Sequence, residues 1–451
     1  MKRIAVVIIC FCILSTLVWG YESVSDFDKY WSQWRGPEMT GVAPYGDPPV
    51  EWGEDKNIRW KIEIPGKGHS SPIIWDDKVF VSTAIETDRI VESQKVETEQ
   101  QPTEQRGGGR GRGGAKPTKV YKFLIFAIDR QDGKILWQQT AREELPHEGT
   151  HAEGSWASNS PVTDGEHVYA YFGSRGLYCY DMQGNPVWEK NLGDMNTKRS
   201  FGEGSSPALY GNAIIVNWDH EGQSFIVALD KKTGEELWKV DRDEATSWAT
   251  PIVVEHDGKP QIIISATNRI RSYDLATGKQ IWECGGMTAN VIPTPVVANG
   301  IAYFASGFRG NALLAIRLDM ASGDITDSDA IVWRHDKDTP YAPSMLLYGD
   351  TLYFLLTNNG FLSCFDAKTG QEHYSRQKLE GISDTFVSPV GAQERVYLTG
   401  SNGTTLVIQR GPKFEVLATN SLDDNFTASP AVVDKEIYLR GHKYLYCIAQ
   451  D

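Results

Sequence analysis

The chain has 451 residues, 40% of them hydrophobic and 23% charged, with a formal charge of −14. The composition is that of a globular protein, and the acidic balance argues against a dedicated nucleic-acid binder, whose footprint would be basic. The 43 glycines and 14 tryptophans favour short strands and tight turns over long helices.

The first 20 residues read as an export signal. Lys2 and Arg3 give a positive start, and the apolar run from Ile4 to Val18 is too short for a comfortable membrane span. Val18 and Gly20 suit the cleavage positions, so cleavage is expected after Gly20. An uncleaved anchor is the alternative. Lipid attachment is disfavoured, because Ile9 and Phe11 precede Cys10 and Cys12 where a small residue is wanted. The mature protein is expected in the periplasm or at the cell surface, not embedded in a membrane. Residues 21–56 follow as an arm carrying WSQWRGP, whose Trp31 and Trp34 pin it against the body.

Residues 57–451 are built from repeats. One signature is an apolar strand, Asp, a short Gly-containing turn, then Trp. It ends at Trp137, Trp188, Trp238 and Trp282, in a stretched copy at Trp333, in a Trp-less copy at Tyr374 and in a degenerate copy near Leu417. A second signature, a small residue before Pro, occurs at Ser71, Ser160, Ser206, Thr250, Thr294, Ala342, Ser388 and Ser429. The spacing, roughly 40–50 residues, suits a four-stranded blade. Eight copies predict an all-β, eight-bladed propeller of four-stranded antiparallel blades. The last copy supplies only three strands. The N-terminal strand around Trp60 completes that blade and closes the ring, which removes exposed strand edges. Asp129, Asp181, Asp230, Asp274 and Asp366 read as turn formers that accept backbone N–H bonds, not as a carboxylate array.

Residues 86–119 interrupt the first blade with an acidic, Gln-rich stretch and RGGGRGRGG, too poor in apolar residues to fold. Such runs can bind single-stranded nucleic acid. In an acidic exported chain, a disordered loop is the better reading. Cys179, Cys364 and Cys447 share one repeat position, where other copies have Ala127, Ala228 or Ser272, so they read as buried fillers and not disulfides. His147 and His151 have the spacing of helical metal ligands, but the glycines and proline around them indicate loop, so no metal site is assigned.

The Trp signature resembles the tryptophan-docking motif of pyrroloquinoline-quinone (PQQ) propellers. With WSQWRGP, IRWKIEIPGKGHSSP and VALDKKTGEELWK, the mature chain is similar to exported bacterial PQQ-like repeat proteins. That group includes quinoprotein dehydrogenases and non-catalytic propellers like outer-membrane assembly factor B. The resemblance implies a quinoprotein-like fold and leaves activity open. A quinoprotein dehydrogenase would need a quinone platform, a Ca²⁺ held by oxygen ligands and an Asp base. The adjacent cysteines of that family are absent here, and the chain lacks its long insertions. No cofactor is therefore assigned. PQQ with Ca²⁺, in an oxidoreductase, is the alternative. A polysaccharide-acting propeller enzyme is a further one, with Glu148, Glu153, Glu203 and Asp219 as available carboxylates.

Blade topology places the outer-to-inner and second-to-third strand loops on one face, opposite the Asp-Gly turns. These loops are varied and rich in aromatic, Arg and Asn residues, which suits a peptide, glycan or anionic ligand. The candidate binding residues are His69, His151, Trp156, Arg175, Arg199, Trp248, Arg309, Tyr341, Asn358, Asn402, Arg440 and His442. The expected protein is a monomeric, non-catalytic binding or scaffold propeller. Its partner would be an unknown protein, peptide or glycan.

Overall fold

The computed structural model describes residues 26–91 and 114–450. The leader and the centre of the Arg-Gly-rich insertion lie outside the described residues. Eight separate sheets form, each antiparallel and four-stranded apart from one added strand. Their inner strands contact one another in sequence around a ring, and the last blade contacts the first. The first blade holds Ile73–Trp75, Lys78–Ile90, Lys119–Asp129 and Ile135–Glu144. The eighth holds Ala431–Val433, Glu436–Arg440 and Tyr444–Ala449, and Ile58–Glu63 pairs antiparallel with the last of these. The chain thus closes the ring with its own N-terminal strand.

The Trp signature is a blade-to-blade joint. Trp60, Trp137, Trp188, Trp238 and Trp333 each donate Nε1–H to a carbonyl in the next blade's Asp-Gly turn, at 2.8–3.1 Å. Each ring also lies flat on that turn's glycine. A Cβ on Gly184 would sit 2.7 Å from the Trp137 ring, and the residue has φ of +87°. Glycine is required there for space and for backbone conformation alike. The Asp of the turn accepts backbone N–H bonds: Asp129 from Gln131 and Asp132, Asp230 from Lys232 and Thr233. Directly across the ladder from each Trp stands a small residue, such as Ala127 opposite Trp137, Cys179 opposite Trp188 and Cys447 opposite Trp60. The four described cysteines are therefore free and buried in separate blades.

Trp282 departs from this pattern. Its Nε1 donates to Gln261 Oε1 within its own blade, and the ring is almost fully buried. The stretched repeat explains it. Gly323–Asp324 adds a parallel strand beside Trp282 and Glu283, and Leu318, Ile325 and Ala330 join the same apolar cluster.

The small-residue steps form a second ring, inside the first. The Ser71 amide donates to Ser160 Oγ, Ser160 to Ser206 Oγ, and Ser206 to Thr250 Oγ1. The series resumes from Thr294 to Ser344, Ser388, Ser429 and back to Ser71. Two sequence readings need correction here. In the sixth blade the ring position is Ser344, which directly follows Ala342-Pro343. The neighbouring amide donates to a hydroxyl, which Ala342 lacks. The insertion is also shorter than 86–119, because Glu86 pairs with Tyr121 and Ile90 with Lys119 as the hairpin continues outward.

The arm closes the tunnel on the Asp-Gly side. Trp31 and Ser32 carbonyls accept from Ile74 and Thr163, and the strip near Gly41 and Ala43 bonds both ways with Gly391. Arg35 is fully buried and donates to the carbonyls of Met345, Pro389 and Thr40. Burial without a carboxylate lowers its guanidinium to about 9, so it stays charged at neutral pH.

Candidate ligand-binding funnel

With one end of the tunnel filled, the other opens as a funnel of about 530 Å³ on the varied-loop face. This volume lies in the range of small-molecule sites, about 300–1,000 Å³. Its floor is Trp34, which is half-buried among fully buried neighbours. Trp34 Nε1 donates to Thr294 Oγ1 at 3.0 Å, the one ring hydroxyl not already taken by a neighbouring blade's amide. Around it stand other members of the Ser/Thr ring, among them Ser160, Ser206 and Thr250.

The walls come from the outer-to-inner loops. Trp248 is fixed by its Nε1–H bond to the Gly202 carbonyl at 2.7 Å, which ties the third blade to the fourth. His151 stands edge-on to Phe201 with centroids 5.2 Å apart, and its Nδ1 lies 3.7 Å from Glu153. Phe308 stacks on Tyr341 at 5.1 Å, and the Arg309 guanidinium rests over the Phe308 ring. Arg199 and Arg309 both occupy the left-handed backbone region, with φ of 55°. This is uncommon for non-glycine residues.

Seven of the twelve residues expected on this face line the funnel: His69, His151, Arg199, Trp248, Arg309, Tyr341 and Asn358. His442 stands just behind, stacked on His69 with centroids 5.6 Å apart. Burial lowers both imidazoles, His69 to about 3, so the pair is neutral at physiological pH. The other four are placed elsewhere. Trp156 packs on Tyr121 and donates to the Glu148 carbonyl. Arg175 pairs with Glu144 and Asp194. Asn402 donates to the Gly381 carbonyl. Arg440 is buried and serves Ser70 and the Ser82 carbonyl as a clamp between the last blade and the first. Sequence could not tell which way each of these four side chains turns.

Three contributors lay beyond sequence reasoning. Trp34 was legible as an arm anchor, but nothing local shows that it reaches the tunnel. Asn290 is 3% exposed and its Oδ1 has no hydrogen-bond partner. Glu203 lines the wall, where its two oxygens accept from Ser174 N and Oγ at 2.7 and 2.5 Å. Burial pushes the Glu203 carboxyl well above the usual carboxylate range, and the Glu148 charge adds to the shift. Gly173 makes room for it, since a Cβ there would overlap Glu203 Oε2.

Of the carboxylates available for acid–base work, Asp219 is fully paired with buried Arg242 and Ser247. Glu148 accepts from Thr197. Glu153 and Glu203 line the funnel. His147, Glu148 and Glu203 lie close enough to share a metal ion. However, His147 is engaged by the Met195 carbonyl and by Arg175. Among the described residues, no helix is long and apolar enough to cross a membrane.

Ring, joints and funnel together define an eight-bladed, quinoprotein-like β-propeller with a loop-face cavity. A family model described as outer membrane protein assembly factor BamB matches residues 122–376 and 222–450, and the chain belongs to that family. BamB from Moraxella catarrhalis superimposes with a TM-score of 0.52 at 15% identity, covering 81% of this chain and 97% of its own. Quinohemoprotein alcohol dehydrogenase from Comamonas testosteroni gives 0.62 at 10% identity, covering 93% and 80%. The computationally designed Ika8 protein gives 0.52 at 14%, covering 75% and 97%. No curated protein sequence matches the chain. Likeness at these identities is likeness of fold.

The likeness of fold to a quinohemoprotein dehydrogenase raises the question of a quinone beside a metal. The funnel's donor set matches such a pair poorly. Both oxygens of Glu203 are already engaged by Ser174, and its two potential co-ligands face Met195, Arg175 and Thr197. The four described cysteines sit inside separate blades, away from the funnel.

Proposed function

We propose that this protein is an exported, monomeric, non-catalytic binding propeller that takes its ligand in the loop-face funnel. The observation that carries this reading is the funnel itself: about 530 Å³, floored by Trp34 and walled by aromatic and cationic side chains. Rigid blades position it, and its walls come from the loops that differ most between repeats, which is where binding residues concentrate. The residues 1–20 leader supports export to the periplasm or the cell surface. The net charge of −14 speaks against nucleic acid as the partner.

A PQQ-dependent oxidoreductase is the second reading, and Trp34 favours it, since a planar ring could stack on that floor. Incubating the purified protein with PQQ and Ca²⁺, then assaying dye-linked oxidation of alcohols and aldoses, separates the two. The expected result is no stoichiometric uptake and no turnover. Turnover with one quinone per chain would overturn the binding reading.

A further inference from the structure

Arg199 and Arg309 stand apart from the other arginines of the described residues. Every other one holds a carboxylate or a backbone carbonyl. Arg199 and Arg309 have neither, and both line the funnel. In a chain with 59 acidic residues against 45 basic, two exposed guanidinium groups left unpaired in one cavity imply a negatively charged visitor. Lys198 joins them on the wall. Three cationic side chains thus face one exposed carboxylate, Glu153, while burial favours the neutral form of Glu203.

The hydroxyl ring narrows the class. Ser160, Ser206, Thr250, Ser344, Ser388 and Ser429 line the funnel, and each hydroxyl accepts one N–H from a neighbouring blade and keeps its own proton to donate. Such a ring suits a ligand that carries several polar groups of its own. The walls add aromatic rings: Trp34, Trp248, Phe201, Tyr341 and Phe386. The ligand must therefore combine anionic groups, several further polar groups and apolar ring faces. A carboxylated quinone supplies charge and a flat face but few hydroxyls. A sugar ring carrying an acid supplies all three.

We propose that the funnel binds a short acidic oligosaccharide, its carboxylate or sulfate groups held by Arg199 and Arg309. A sugar face lies on Trp34, and its hydroxyls meet the Ser/Thr ring. This rests on the funnel being the binding site.

The test uses the full mature chain with three probes: trigalacturonate, its neutral methyl ester and a sulfated carrageenan tetrasaccharide. Binding is read by calorimetry and by tryptophan fluorescence. One or both acidic probes bind, and which one does distinguishes carboxylate from sulfate. Affinity falls as salt rises and the ester binds at least about tenfold more weakly. The R199Q/R309Q double variant loses at least about tenfold for the acidic probe, with its melting temperature little changed, because the two exposed side chains hold no carboxylate or carbonyl and Arg309 has only its exposed contact over the Phe308 ring. Equal binding of ester and acid, unchanged in the double variant, overturns the acidic class and leaves the funnel as the site. No binding of any probe overturns the proposal, and quinone turnover separately decides the binding reading.

Discussion

At the residue scale, individual side chains matter here through what surrounds them. Arg35 and Arg440 are both buried without a carboxylate and both grip backbone carbonyls, so they join elements instead of recognising ligands. Arg199 and Arg309 are the converse. Glu203 gives a prediction in pH. Its raised pKa, set first by burial, means that the folded state binds this proton more tightly than the unfolded chain does. Such a group contributes stability that is fully present below the unfolded carboxylate value, about 4.3. The contribution is lost as pH rises through the higher native value. E203Q removes the titration and keeps an acceptor for Ser174. Urea unfolding of both proteins should show the wild type losing stability relative to E203Q between about pH 4.5 and 8. A difference that is flat with pH would reject the assignment.

At the element scale, the blade is a local unit with a repeated joint. The Asp turn, its glycine and the small residue facing Trp are set by neighbours in sequence, which is why the repeat shows them plainly. The joint predicts a graded pair of substitutions. G184A must accommodate both a φ of +87° and a Cβ 2.7 Å from the Trp137 ring, and should cost about 2–4 kcal/mol. G193A has a comparable backbone constraint, φ of +108°, but nothing within 4 Å of its Cβ, and should cost about 1–2 kcal/mol. Equal losses in denaturant melts would show that the ring contact contributes nothing. Two elements escaped the repeat for a physical reason. Ser344 was hidden because the ring selects a hydroxyl and not the neighbouring proline. Trp282 was read as a joint like the others, but the 318–330 insertion covers it from the next blade.

At the scale of the whole molecule, stability depends on closure. Ile58–Glu63 completes the last blade, and Arg59 and Arg130 both reach Glu436 across that seam. Trp60 then docks on Gly133 of the first blade. Deleting residues 57–64 leaves Tyr444–Ala449 as an open edge and strips the first blade of its partner ring. The expected product is oligomeric by light scattering and unfolds over a broad range. A monomer with one sharp transition would show that closure is unnecessary.

The sequence by itself determined the fold class, the number of blades, the shared last blade, the turn role of the aspartates and the separation of the cysteines. Each is encoded within one repeat or in the count of repeats. It also determined which loops share a face, because strand alternation decides that. Only the tertiary structure decided which of the twelve candidate residues meet in one cavity. It also revealed that Trp34, more than 200 residues away from Thr294, floors that cavity. A side chain's direction within a loop depends on contacts from neighbouring blades and from the arm, and those arise only when the ring has closed.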